Sequence, residues 1–239
     1  SRHSLVATFA KLATIPLERR EAKMRGCLVC YCLAAMLFAP SPKAQILPTE
    51  VRAATSSELP SLITLYRHLH RHPELSLFEK ESAARMAQEL RAADFEVTEG
   101  VGGTGVVGVL KNGDGPTVMV RTDLDALPIR EQTGLEYSST RTVKDGEGRE
   151  VGVMHACGHD VHMSVFTGTA RVLMNLASKW QGTVVFVAQP AEELGKGSAA
   201  MLADGLLERF PRPDFALALH LAPGLASGTV GYVEGYALA

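Results

Sequence analysis

The stretch Gly182-Thr-Val-Val-Phe-Val-Ala188 decides the fold. An unbroken β-branched and aromatic run, bounded by Gly182 and by Gln189-Pro190, is the pattern of a strand buried on both faces, and such strands belong to sheets covered by helices. The run ends in Gln189-Pro-Ala-Glu-Glu193, which places two adjacent carboxylates at the carboxyl end of a buried strand. Open α/β sheets hold their ligands at that end. Two other strands repeat the arrangement. Thr117-Val-Met-Val-Arg121 runs into Thr122-Asp123-Leu124-Asp125, whose carboxylates share a side if extended, and Phe215-Ala-Leu-Ala-Leu219 delivers His220. The expected fold is α/β, a three-layer sandwich with a mixed, largely parallel sheet flanked by helices.

Between the Thr117 and Gly182 strands in the chain comes the loop His155-Ala-Cys157-Gly-His159-Asp160. Thiolate and imidazole both bind borderline metals such as zinc, and Gly158 allows a turn tight enough for both side chains to face one point. Taken alone, Cys157 reads equally as a small core residue and the Asp pair as an ordinary turn. Together, Asp, Cys, His, Glu and His converge on one sheet edge. Adjacent glutamates there suit two jobs, one as ligand and its neighbour as proton acceptor.

The flanking helices follow from periodicity. Leu59, Leu62, Ile63, Tyr66 and Leu69 keep helical spacing until Pro73, and a second helix from about Glu79 to Ala93 buries Ala83, Met86, Ala87 and Leu90. Val165, Thr169, Val172, Leu173 and Leu176 mark a third. His68 and His72 share a helix face with no third ligand beside them, so they read as a solvated polar surface. Gly100-Val-Gly-Gly-Thr-Gly105 satisfies the dinucleotide pattern, but a strand follows where pyrophosphate binding needs a helix. The run from Val106 to Arg121, turning at Asn112-Gly-Asp-Gly115, reads as a hairpin.

Composition is that of an ordinary globular chain: 239 residues, 46% hydrophobic, 21% charged, net charge −2. One Trp and 6% aromatic residues, without a basic cluster, do not suggest a nucleic-acid partner, and none is expected. Residues 1–23 precede Met24 and read as an over-extended start. Residues 24–44 combine Arg25, the apolar run Cys27 to Ala39 and a small-residue exit at Ala44, which is a signal peptide. The run is shorter than the roughly 20 residues a membrane span needs, so no stable anchor is expected and the mature protein is exported, periplasmic or secreted. Residues 45–57 read as a linker and 58–239 as the N-terminal portion of a catalytic domain. Three of the four cysteines fall in the signal, leaving Cys157, whose retention in an exported protein fits a thiolate held on metal.

Arg121-Thr-Asp-Leu-Asp-Ala-Leu-Pro128, Met154-His-Ala-Cys-Gly-His-Asp160, Gln189-Pro-Ala-Glu-Glu193 and Leu219-His-Leu-Ala-Pro223 resemble, in order, the aminoacylase, hippurate hydrolase and auxin-conjugate amidohydrolase family of dinuclear metallopeptidases. Leu69-His-Arg-His-Pro-Glu-Leu-Ser76 is similar to that family's opening. The resemblance implies two divalent metal ions (zinc, manganese or cobalt) bridged by Cys157, with His159, Glu193 and His220 as further ligands. It also implies Glu192 as the catalytic general base and Asp125 in a supporting catalytic role. Asp123 stands where more distant peptidases place a metal-binding histidine, and its role is left open. The implied substrates are N-acyl amino acids or related small amides and peptides. Family members continue past the position of Ala239 into a lid and dimerisation domain and then to a further histidine ligand, so the resemblance implies a homodimeric full-length enzyme and an inactive fragment. Two rivals are a cysteine-dependent hydrolase using Cys157 with a histidine, which leaves the glutamate pair without a task, and a non-catalytic metal-binding fragment.

Overall fold

The structure is a computed structural model that describes residues 48–144 and 147–231. The over-extended start and the signal peptide lie outside the described residues. In chain order the elements are helix α1 (Pro48–Arg71), α2 (Lys80–Ala92), strands β1 (Glu96–Val101), β2 (Gly105–Asn112), β3 (Thr117–Asp123), β4 (Thr142–Lys144) and β5 (Glu150–Gly152), then α3 (His159–Asn175), β6 (Gly182–Gln189), α4 (Gly197–Ala203), α5 (Leu206–Arg209) and β7 (Phe215–Ala218).

Strand β6 takes a central place in a five-stranded sheet of order β1-β2-β6-β3-β7. It runs antiparallel to β2 and parallel to β3, and β3 runs parallel to β7. The sheet is therefore mixed, with its parallel pairings on the side that carries Asp123, Gln189 and Ala218 at the strand ends. Alternation along β6 sends Val184, Phe186 and Ala188 into a core with Leu65, Leu69, Met86, Leu90, Met163 and Phe166 of α1, α2 and α3. Val185 and Val187 point the other way, onto Met201 and Leu206 of the two short helices. Helices on both faces explain why the strand carries no polar side. Phe186 is fully buried between the rings of Phe95 and Phe166, with centroids at 4.9 and 4.7 Å. Its truncation to alanine should cost about 3–5 kcal/mol.

Two expectations are corrected. The run from Val106 to Arg121 is not a hairpin, because β6 inserts between β2 and β3 and pairs with both. The connection at Asn112-Gly115 spans that extra strand: it passes so close over residue 181 that a Cβ on Gly115 would lie 2.8 Å from the Gln181 carbonyl oxygen. Second, the stretch expected as a linker is helical from Pro48 onward. Proline suits a first helical turn, where its missing N–H goes unused. The helix is docked by ion pairs to residues far along the chain, Glu50 with Lys179 at 3.0 Å and Glu58 with Arg171 at 3.1 Å. Its buried stripe is Leu65 and Leu69, while Leu59 and Ile63 are exposed; Leu62 lies over Gly168 of α3.

The glycine-rich turn behaves as the strand after it demands. Gly102 links β1 to β2 with φ +65°, and a Cβ there would meet the Met201 backbone nitrogen at 2.5 Å. Its N–H donates to Asp204 Oδ2 at 2.9 Å, so the turn is spent on packing against α4.

Candidate metal centre

The first turn of α3 holds the site. Gly158 caps the helix in the left-handed conformation (φ 86°), a position that disfavours any residue with a Cβ, and the turn sets Cys157 and His159 on either side of it. His159 is fully buried, and its Nδ1–H donates to the Asp125 carbonyl at 2.8 Å. In the neutral ring that bond places the hydrogen on Nδ1 and leaves the Nε2 lone pair aimed into the site, an arrangement by which proteins orient metal-binding imidazoles. Cys157 Sγ lies 3.3 Å from His220 Nε2, and the other nitrogen of His220 is engaged with the Leu221 carbonyl at 2.6 Å. The imidazoles of His159 and His220 beside the sulfur hold the Cys157 thiol below its ordinary pKa, which favours the thiolate that binds metals.

The carboxylates arrive from the two central strand ends. Around His159 Nε2 stand Glu192 Oε2 at 3.7 Å, Glu193 Oε1 at 3.8 Å and Asp123 Oδ2 at 3.9 Å. Asp125 is fully buried and works as a brace: Oδ2 accepts from Ser76 Oγ at 2.7 Å and from the Glu193 N–H at 3.0 Å. The two glutamates differ in setting. Glu193 Oε1 is buried without a partner, while Glu192 has the more exposed side chain, 25% against 18%. Burial, with the charge of Asp123 nearby, raises the Glu192 carboxyl above its ordinary value.

Buried polar atoms are almost always paired, so the exceptions carry information. Here, among the described residues, His159 Nε2, Glu193 Oε1 and Asp123 Oδ2 lack hydrogen-bond partners and face one another, and Asp125 Oδ1 lacks one on the Nδ1 side of the same ring. Among the described residues three overlapping sets each bring their ligand atoms within 4.8 Å of one another: Cys157, His159 and His220; Asp123, His159 and His162; and Asp125, His159 and Glu192. A soft thiolate and two imidazoles beside several carboxylates are a donor set for borderline divalent ions, and binding one would satisfy the orphaned atoms. The residues fit the metal that the sequence implies.

The sequence reading missed a second polar cluster. His70, 5% exposed, meets Asp160 Oδ2 through Nδ1 at 2.6 Å and Glu131 Oε1 through Nε2 at 3.0 Å. Burial opposes its charged form, but the two carboxylates outweigh burial and raise His70 to about 8. The alternating Arg67-His68-Leu69-His70-Arg71-His72 hinted at a cluster, yet its outer histidines are the exposed pair, with rings 4.7 Å apart, and the middle one is the buried one. His155 is buried with both ring nitrogens unpartnered, and burial pushes it down to about 4. It lines a cleft of about 420 Å³ that opens beside Cys157 and His220, with Tyr66, Met154 and Leu221 on its walls.

The profile of the peptidase family M20/M25/M40 matches residues 119–235. An N-acetyl-L-cysteine deacetylase of Bacillus subtilis is 37% identical over 175 residues, covering 73% of this chain and 39% of that protein. An IAA-amino acid hydrolase of Arabidopsis thaliana is 34% identical over 178 residues, 74% of this chain and 38% of that protein. Among solved structures, a dinuclear metal-binding peptidase of the M20 family from Bacillus subtilis superposes with a TM-score of 0.56 at 38% identity, over 65% of this chain and 41% of that one. The chain spans less than half the length of these relatives.

Proposed function

Because this chain belongs to the peptidase family M20/M25/M40, we propose that it carries the metal-binding half of an amidohydrolase that cleaves N-acyl amino acids or related small amides. The observation that supports this most is the ring of unpartnered buried donor atoms around His159 Nε2 with a solvent-reaching carboxylate beside it. Cys157, His159, Glu193 and His220 would hold two divalent ions, zinc, manganese or cobalt. Bound there, the ions would supply Lewis acidity toward a carbonyl oxygen and toward water.

The chain's own residues do the rest. Glu192 accepts a proton from the attacking water as its oxygen adds to the acyl carbon, and returns that proton to the leaving nitrogen as the C–N bond breaks. Water is thereby divided between an acid and an amine. Asp125 holds Glu193 by its backbone and His159 by its own carbonyl, so the strand end and the helix start keep one geometry. The protein extended to family length, purified with bound metal, should hydrolyse N-acyl amino acids, lose activity to a chelator and regain it with zinc, manganese or cobalt. Chelator-resistant turnover blocked by thiol reagents would replace this reading with a cysteine nucleophile, and bound metal without turnover would replace it with a metal-binding module. Dimerisation through a lid domain is part of the same proposal.

Export belongs to it as well, supported by the Met24–Ala44 pattern. N-terminal sequencing of the secreted protein should begin near Gln45; an intact Met24 on protein outside the cytoplasm would end the idea.

A further inference from the structure

His220 follows a strand of only four residues at the edge of the described sheet, so something other than the sheet must hold its ring at Cys157. The contact is His162. It lies one turn beyond His159 on α3, is 2% exposed, and its Nε2 accepts the Leu221 N–H at 2.9 Å. Its ring also meets that of His220 at 4.8 Å and 62°. An imidazole accepting at Nε2 carries its hydrogen on Nδ1, and that atom faces Asp123 Oδ2 at 3.7 Å. The distance is too long for a hydrogen bond and short enough for a carboxylate to fix the tautomer by charge. The other oxygen of Asp123 is engaged by the Arg121 guanidinium, whose Nε donates to Gln189 Oε1 at 3.0 Å. A continuous path therefore runs from β6 through Arg121, Asp123 and His162 to the backbone beside His220.

We propose that Asp123 and His162 are positioning residues that hold the His220 imidazole against Cys157, rather than metal ligands themselves. The competing assignment is an ion held by Asp123, His159 and His162, whose donor atoms lie close enough together for one. The geometry disfavours it, because a His162 Nε2 that accepts the Leu221 N–H leaves the hydrogen on Nδ1, the nitrogen that faces Asp123, and Asp123 has one oxygen engaged by Arg121. This rests on the reading of His220 as a ligand only in its consequence for metal, so the test has one arm that needs no metal at all.

In the metal-free arm, long-range proton–nitrogen correlation spectra of this chain should show His162 with hydrogen on Nδ1 and a bare Nε2. Amide exchange at Leu221 should quicken by about tenfold or more in His162→Leu and return most of the way in His162→Gln, whose side-chain oxygen can still accept. Unchanged Leu221 exchange in His162→Leu would overturn the proposal whatever happens to metal. In the metal arm, cobalt(II) titration of the same chain should keep its stoichiometry in Asp123→Asn and His162→Gln. Affinity should fall about 10- to 100-fold in Asp123→Asn and His162→Leu, the size expected for support of a ligand. Loss of one equivalent of cobalt in Asp123→Asn and His162→Gln would make the pair ligands and overturn the proposal. Absence of cobalt binding by the wild-type chain would count against the proposed function, while Leu221 exchange would still decide the positioning.

Discussion

His159 and Asp160 are neighbours in sequence and serve opposite kinds of polar cluster. Asp160 turns to His70 and Glu131, where His70 meets a carboxylate with each ring nitrogen. His159 turns to the strand ends, where Nε2 faces three carboxylates between 3.7 and 3.9 Å away and bonds to none. The histidine at the centre of each cluster is buried. The first is hydrogen-bonded within itself; the second is incomplete and is finished by something the chain binds. Burial and charge alone do not separate a structural cluster from a site, but the count of unmet hydrogen bonds does.

The sharpest way to break that comparison acts on the incomplete cluster. In the family-length protein Glu192→Gln should lower kcat by roughly 100-fold or more with metal content unchanged, the range for loss of a general base. Glu193→Gln should lose metal first and turnover as a result. If Glu192→Gln loses metal and Glu193→Gln keeps it, the two roles are exchanged. On the complete cluster, His70→Leu strands two buried carboxylates and should destabilise by about 3–5 kcal/mol in chemical denaturation, while cobalt stoichiometry stays unchanged. Metal loss in that variant would show that the clusters are one.

A milder test adds metal to the wild type. Ion at about 100 times its Kd should stabilise by about 2.7 kcal/mol, and His159→Ala should abolish that gain. The smallest effect concerns pH. His70 stands at about 8 when folded, above its ordinary 6.5, so its contribution is complete below pH 6.5 and is lost as pH rises through 8. The melting temperature should fall across that window in the wild type, and the fall should flatten in His70→Gln. A fall of equal size in His70→Gln would assign it to another group.

Much of this was legible in the sequence, for a physical reason. Strand β6 is apolar on both faces, so its boundaries and the position of Glu192 and Glu193 at its end could be read from local pattern. The same locality failed where the deciding partner is distant. His70 meets Asp160 from 90 residues away, and the Pro48–Ser57 stretch belongs to a helix that continues to Arg71, with Glu50 paired to Lys179 far along the chain. The supposed hairpin failed because the strand that separates β2 from β3 comes later in the chain. For the site itself, residue types were legible and their division of labour was not: Asp123 and Asp125 look alike in sequence, yet one is clamped by Arg121 and the other braces Ser76 and Glu193.

Glu79 is fully buried at the entrance to α2 and accepts from three separate connections: the Leu77 N–H at 2.8 Å, the Thr104 hydroxyl at 2.7 Å and the Ala191 N–H at 2.7 Å. Ala191 immediately precedes the two glutamates and is held at φ 47°, a conformation that costs a non-glycine residue about 1–2 kcal/mol. For protein engineering the consequence is that the start of α2 and the glutamate loop form a single design unit. A library that varies Glu79 to improve stability also varies how two carboxylates are presented, and a designer who grafts the Gln189–Glu193 segment onto another scaffold must carry a distant carboxylate with it.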